Sequence, residues 1–126
     1  TVRIMLVEDQ MLIAMDVETM FAQRGYNNLT TCNTAEEAMR QLAVAPPDVA
    51  VLDINLGIGD SIGVAQRLQA AGVPFIFASG YGDGGILPES LMQIPVLRKP
   101  YDINGLLQML GRAMVSDASA SMDLTD

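Results

Sequence analysis

Short strand-like runs alternating with stretches of helical periodicity constrain this chain more than any other feature of it. Four of the runs, Val2–Val7, Val49–Leu52, Phe75–Ala78 and Pro95–Leu97, are almost continuously apolar apart from Arg3. Strands buried on both faces of a parallel sheet read this way, because neither face meets water. Each run ends on polar residues: Glu8-Asp9 after the first, Asp53 after the second, Ser79 after the third, and Lys99-Pro100 shortly after the fourth. In an open α/β sheet the carboxyl ends of the strands share one edge, and ligands collect there. Three carboxylates, a hydroxyl and an ammonium are thereby brought from four distant parts of the sequence to one place. Those groups suit a divalent cation and a phosphoryl group.

The segments between the runs supply the crossovers. A helix is expected from about Gln10 to Arg24, with Gly25 at the left-handed position past its end. A second strand reads Leu29–Asn33. Thr34-Ala-Glu-Glu37 has the spacing of a capping box, and Ala35, Ala38, Met39 and Leu42 recur behind it at helical intervals. Pro46-Pro47 stops that helix. Asp60 or Ser61 is placed to cap a third helix carrying Ile62, Ala65 and Leu68 and ending at Gly72; strand four is then Pro74–Ala78. Asp102 caps the last helix, whose stripe is Ile103, Leu106, Leu107, Leu110 and Met114. Right-handed crossovers of this length predict an α/β fold: a doubly wound five-stranded parallel sheet of flavodoxin-like order 2-1-3-4-5, with helices on both faces. Between Gly80 and Gln93 the helical signal fails, since Gly82, Gly84, Gly85 and Pro88 all oppose it. Residues 1–115 read as one domain, and the small, polar, acidic stretch 116–126 as a disordered tail.

Charge and composition remove several function classes. A net charge of −8 argues against direct contact with nucleic acid, which needs a basic stripe. With no histidine in the chain, a histidine phosphocarrier, a histidine-dependent triad and the common histidine zinc sites are excluded. No apolar run approaches the roughly 20 residues of a membrane span, and the opening Thr-Val-Arg-Ile lacks a signal-peptide layout. The single cysteine, Cys32, reads as a buried, inert thiol and suits a reducing cytoplasm.

The acidic pair in VEDQ, the aspartate in VLDINL, the hydroxyl in FASGYG and the lysine in RKP, in this order and each at a strand end, resemble the response-regulator receiver domain of two-component signalling. The resemblance runs from about Val2 to about Met114. It implies that Asp53 accepts a phosphoryl group from a histidine kinase or a histidine phosphotransfer protein, with Mg²⁺ as cofactor. Asp9 and Asp53 are the natural direct ligands and Glu8 acts through water; the resemblance adds the backbone carbonyl of Asn55. Ser79 and Lys99 address the phosphoryl oxygens, and the resemblance implies a cis Lys99–Pro100 bond that aims Lys99. Most receivers carry an aromatic residue where this chain has Val96, so Tyr81, in a segment resembling the subgroup named for a Phe-Ala-Thr-Gly-aromatic signature, is the expected replacement in the switch. The implied activity is a phosphorylation-dependent change in binding to a downstream protein, by a stand-alone regulator or a receiver cut from a longer chain. Two rivals share the topology. An aspartyl-phosphate phosphohydrolase of the haloacid-dehalogenase type needs an acid two residues after its nucleophile, where Asn55 stands. A flavin carrier needs a phosphate cradle where Glu8-Asp9-Gln10 is acidic.

Overall fold

The computed structural model describes residues 2–54, 56, 60–80 and 87–117. Its strands are β1 (Ile4–Val7), β2 (Leu29–Cys32), β3 (Val49–Asp53), β4 (Phe75–Ser79) and β5 (Val96–Arg98). They form one parallel sheet in the order β2-β1-β3-β4-β5, as the sequence predicts. Among the described residues the helices are α1 (Met11–Gln23), α2 (Ala35–Val44), α3 (Asp60–Ala70) and α4 (Ile103–Asp117), with a 3₁₀ turn at Glu89–Leu91.

Successive side chains of a strand point to opposite faces, and both faces here are packed. Met5, Val7, Ala50, Leu52, Phe75 and Phe77 form one core with Ala38 and Leu42 of α2 and Val64, Ala65 and Leu68 of α3. The intervening residues Ile4, Leu6, Val49, Val51, Ile76 and Ala78 form the other, with Ala14, Val17 and Phe21 of α1 and Leu106, Leu110 and Ala113 of α4. This two-sided burial is why the strands lack polar alternation. The same parity decides where the polar residues at the strand ends point. Glu8 continues the Ile4–Leu6 row and Asp53 the Val49–Val51 row, so both belong to the α1/α4 side. Ser79 continues the Phe75–Phe77 row on the other side.

Local signals act nearly as read. Gly25 and Gly72 take φ of +87° and +72° past the ends of α1 and α3. The Thr34 hydroxyl accepts from the Glu37 N–H at 3.1 Å, but the Glu37 carboxylate reaches back one residue further, to the N–H of Asn33 at 2.7 Å. The capping box is thus widened by a residue. Asp102 accepts from the Gly105 N–H at 2.8 Å at the start of α4. Ser61 is not a cap: α3 already begins at Asp60, and the Ser61 hydroxyl, inside the helix, donates to the Ile54 carbonyl. Helix α4 continues to Asp117, taking in the first two residues of the stretch read as tail; residues 118–126 lie outside the described residues.

Candidate functional site

Register places the polar residues at the strand ends side by side. Val7 pairs with Leu52, so Glu8 and Asp53 are neighbours one step further along β1 and β3. Asp53 itself pairs with Ala78, and Ser79 with Arg98. Backbone bonds extend the sheet into the site: the Glu8 N–H donates to Cys32 O at 3.0 Å, Ile54 N–H to Ala78 O at 2.9 Å, and Lys99 N–H to Ser79 O at 2.7 Å. The residues carrying the chemistry are therefore held by the sheet rather than by free loops.

Glu8 and Asp53 are almost wholly buried, at 1% and 3% exposure, whereas Asp9 is exposed. Burying carboxylates is costly unless partners offset the loss of water. The Lys99 ammonium supplies one: it stands 2.8 Å from Glu8 Oε1 and 3.4 Å from Asp53 Oδ1. The second Glu8 oxygen accepts from the Gln10 N–H at 3.1 Å. Burial works to discharge Lys99, but its hydrogen bond to Glu8 and the charges of Asp53 and Glu8 outweigh it and hold its pKa above the ordinary lysine value. Lys99 thus stays an ammonium. The Lys99–Pro100 bond is cis.

Of the residues singled out in the sequence, the structure brings Glu8, Asp9, Asp53 and Lys99 together. Ser79 ends the adjacent strand, 6% exposed, its hydroxyl donating to Gly80 O at 3.3 Å. Val96 sits in the edge strand β5, 42% exposed. Asn55 and Tyr81 lie outside the described residues. The sequence reading passed over Tyr101, although it follows Lys99-Pro100 directly. Its hydroxyl is buried, and among the described residues it has no hydrogen-bond partner. Position in the sequence was the available signal, but its burial became visible only once α1 and α4 were packed on the same face of the sheet.

Carboxylate oxygens of Glu8, Asp9 and Asp53 all lie within 4.8 Å of one another. An all-oxygen, anionic donor set of this kind fits Mg²⁺, which takes carboxylates and waters at about 2.1 Å and binds through only one or two carboxylates. Both Glu8 oxygens already accept hydrogen bonds, from the Gln10 N–H and the Lys99 ammonium.

The chain is 28% identical over 120 residues to the phyllosphere-induced regulator PhyR of Methylorubrum extorquens, covering 93% of this chain and 45% of that protein. It is 22% identical over 115 residues to the transcriptional regulatory protein PdtaR of Mycobacterium tuberculosis, covering 89% and 56%. The chain therefore spans about half the length of these curated relatives. Among solved structures, the BeF3-activated conformation of SdrG from Pseudomonas melonis Fr1 superposes with a TM-score of 0.75 at 33% identity, over 90% of this chain and 96% of that one. No described helix is long and apolar enough to cross a membrane. Residues 4–111 match the family model of the response regulator receiver domain, and the chain belongs to that family.

Proposed function

We propose that this receiver domain is a phosphorylation switch whose acceptor is Asp53, with a histidine kinase or histidine phosphotransfer protein as donor and a second protein as the reader of its state. The observation that carries the reading is the Asp53 carboxylate at the end of the central strand β3, 3.4 Å from the Lys99 ammonium and within the Glu8–Asp9–Asp53 cluster. Phosphoryl transfer asks chiefly for positioning and charge neutralisation. An Asp53 carboxylate oxygen attacks phosphorus in line, the P–N bond of the donor imidazole breaks, and the imidazole leaves with the electron pair and takes up a proton. A bound Mg²⁺ would neutralise charge on the phosphoryl oxygens, held directly by Asp9, Asp53 and the carbonyl of Asn55, with Glu8 acting through water. Lys99 by its charge and Ser79 by its hydroxyl would bind the new oxygens, in exchange for the contacts each now makes.

One feature favours the switch over the phosphohydrolase: position 55 is Asn rather than an acid. SdrG, similar along almost its whole length, has a BeF3-activated conformation, and a phosphoryl mimic of that kind is the natural probe here. The buried thiol of Cys32 accords with a reducing cytoplasm, and the FASGYG segment supports a place beside the Phe-Ala-Thr-Gly-aromatic subgroup. Incubation with a small-molecule phosphodonor and Mg²⁺ should add one phosphoryl group per chain, read by intact mass. Asp53→Asn should abolish the addition; labelling undiminished in that variant overturns the assignment. Sustained release of phosphate from added esters would instead favour the hydrolase.

A further inference from the structure

Beside Asp53, between α1 and the start of α4, opens a cleft of about 500 Å³ whose lining includes Asp53, Lys99, Tyr101 and, from α1, Ile13, Val17 and Met20. Its walls are mixed: a charged end at Asp53 and Lys99, and on the helix an apolar flank interrupted by Asp16. Tyr101 stands where the two meet. Its ring packs with the α1/α4 core, while its hydroxyl is shut off from solvent with no partner among the described residues. Buried polar groups are almost always paired, and one left unpaired costs the folded state its desolvation. Burial, and then the nearby negative charges of Glu8 and Asp53, hold its pKa above the ordinary tyrosine value. The phenol therefore keeps its proton and is a hydrogen-bond donor facing an acidic neighbourhood.

We propose that the Tyr101 hydroxyl is a positioning donor for the phosphorylated state, forming its hydrogen bond only when a phosphoryl group stands on Asp53. The inference rests on Asp53 being the acceptor. Phosphorylation places three strong acceptor oxygens and additional negative charge at the rim of the cleft Tyr101 lines. A donor with no partner gains more from a new acceptor than one that must first break an existing bond. The hydroxyl is thus a small destabilising element of the resting form and a stabilising one of the phosphorylated form, and its energy biases the switch in one direction. It also gives this chain an aromatic readout at the site although β5 carries Val96.

Tyr101→Phe separates the hydroxyl from the ring. Without phosphoryl mimic, the variant should melt at the same temperature as the wild type or higher, because the unpaired group is gone. With Mg²⁺ and beryllofluoride it should bind the mimic about tenfold more weakly, the scale of one lost hydrogen bond to a charged acceptor, and its phosphorylated form should lose phosphate faster. Tyr101→Leu, lacking the ring as well, should melt lower than Tyr101→Phe in both states, and the difference between the two variants reports packing. Equal beryllofluoride affinity and equal phosphoryl lifetime in Tyr101→Phe and wild type would overturn the proposal. So would a lower melting temperature of Tyr101→Phe without the mimic, which would mean that the hydroxyl already has a partner at rest. A wild-type protein that takes up neither phosphate nor beryllofluoride would refute the acceptor assignment itself and this proposal with it.

Discussion

At Lys99 one ammonium serves two buried carboxylates, and unequally: 2.8 Å to Glu8 against 3.4 Å to Asp53. Removing one partner of a buried ion pair leaves the other uncompensated and costs about 3–5 kcal/mol. Lys99→Ala should therefore lower stability by about 3 kcal/mol in metal-free buffer, measured by urea unfolding, and added Mg²⁺ should recover part of it by neutralising the same carboxylates. No loss, or no recovery, would show that the ammonium and the cation do not share a site. The two acids should also separate. Asp9→Asn should weaken Mg²⁺ binding, followed by titration, well beyond Glu8→Gln, because both Glu8 oxygens are already bonded to Gln10 and Lys99. Equal effects would mean that the direct and water-mediated roles are reversed. Cys32 needs no partner: burial first and the Glu37 charge second push its thiol up to about 11. A group whose pKa is raised by folding stabilises the fold below its unfolded value and loses that contribution as pH climbs toward the raised one. Cys32 should accordingly stay unreactive to thiol reagents at pH 8 until the chain unfolds, and its contribution should fade between about pH 8.5 and about pH 11.

Among the elements, legibility followed how local the determining physics is. The Thr34 cap of α2, the glycines that end α1 and α3, and the Asp102 cap of α4 depend on residues within a few positions, and the sequence announces each, though not the shift of the Glu37 carboxylate to the Asn33 N–H. Strand ends were harder. Asp53 and Ser79 read as the first polar residues past their strands but are the last residues within them, since ladder pairing continues regardless of side-chain polarity. Ser61 misled as a cap because its real acceptor, the Ile54 carbonyl, is supplied by tertiary folding. Lys99's preference for Glu8, and the burial of the Tyr101 hydroxyl, are likewise products of packing between distant segments. The glycines give a test of the local account. Gly111 lies inside α4 with open space where a Cβ would go, and Gly72 has equal room but a φ of +72°. Gly111→Ala should raise stability by about 0.5–1 kcal/mol through helix propensity, while Gly72→Ala should lower it by a similar or larger amount because alanine is strained there. Denaturant midpoints moving in the same direction would show that space, not backbone conformation, decides.

For the whole molecule, the two cores hold the sheet from both sides, so a signal that begins at Asp53 must leave by the part least secured to them. Strand β5 is the edge strand beside β4, with Val96 and Arg98 exposed. The connection into it is secured at Leu91, fully buried within the 3₁₀ turn Glu89–Leu91. Upstream of that anchor the sequence sets Gly82, Gly84, Gly85 and Pro88, residues of poor helix propensity. Ser79 begins this connection and bonds to the very next carbonyl, that of Gly80. In the switch proposed above, drawing the Ser79 hydroxyl toward phosphoryl oxygens would break that bond and shift the chain leaving β4. Residues of poor helix propensity lower the cost of rearranging a segment, and a ligand that binds one arrangement better shifts the population by its differential affinity alone. Hydrogen exchange with and without beryllofluoride should therefore change most in peptides spanning Ser79 to Met92, less at the edge β5, and least in β1 and β3, where both faces are packed. Exchange unchanged from Ser79 to Met92, with the main difference on α1 or α3, would place the output face on the opposite flank of the sheet and leave Tyr81 without a part in it.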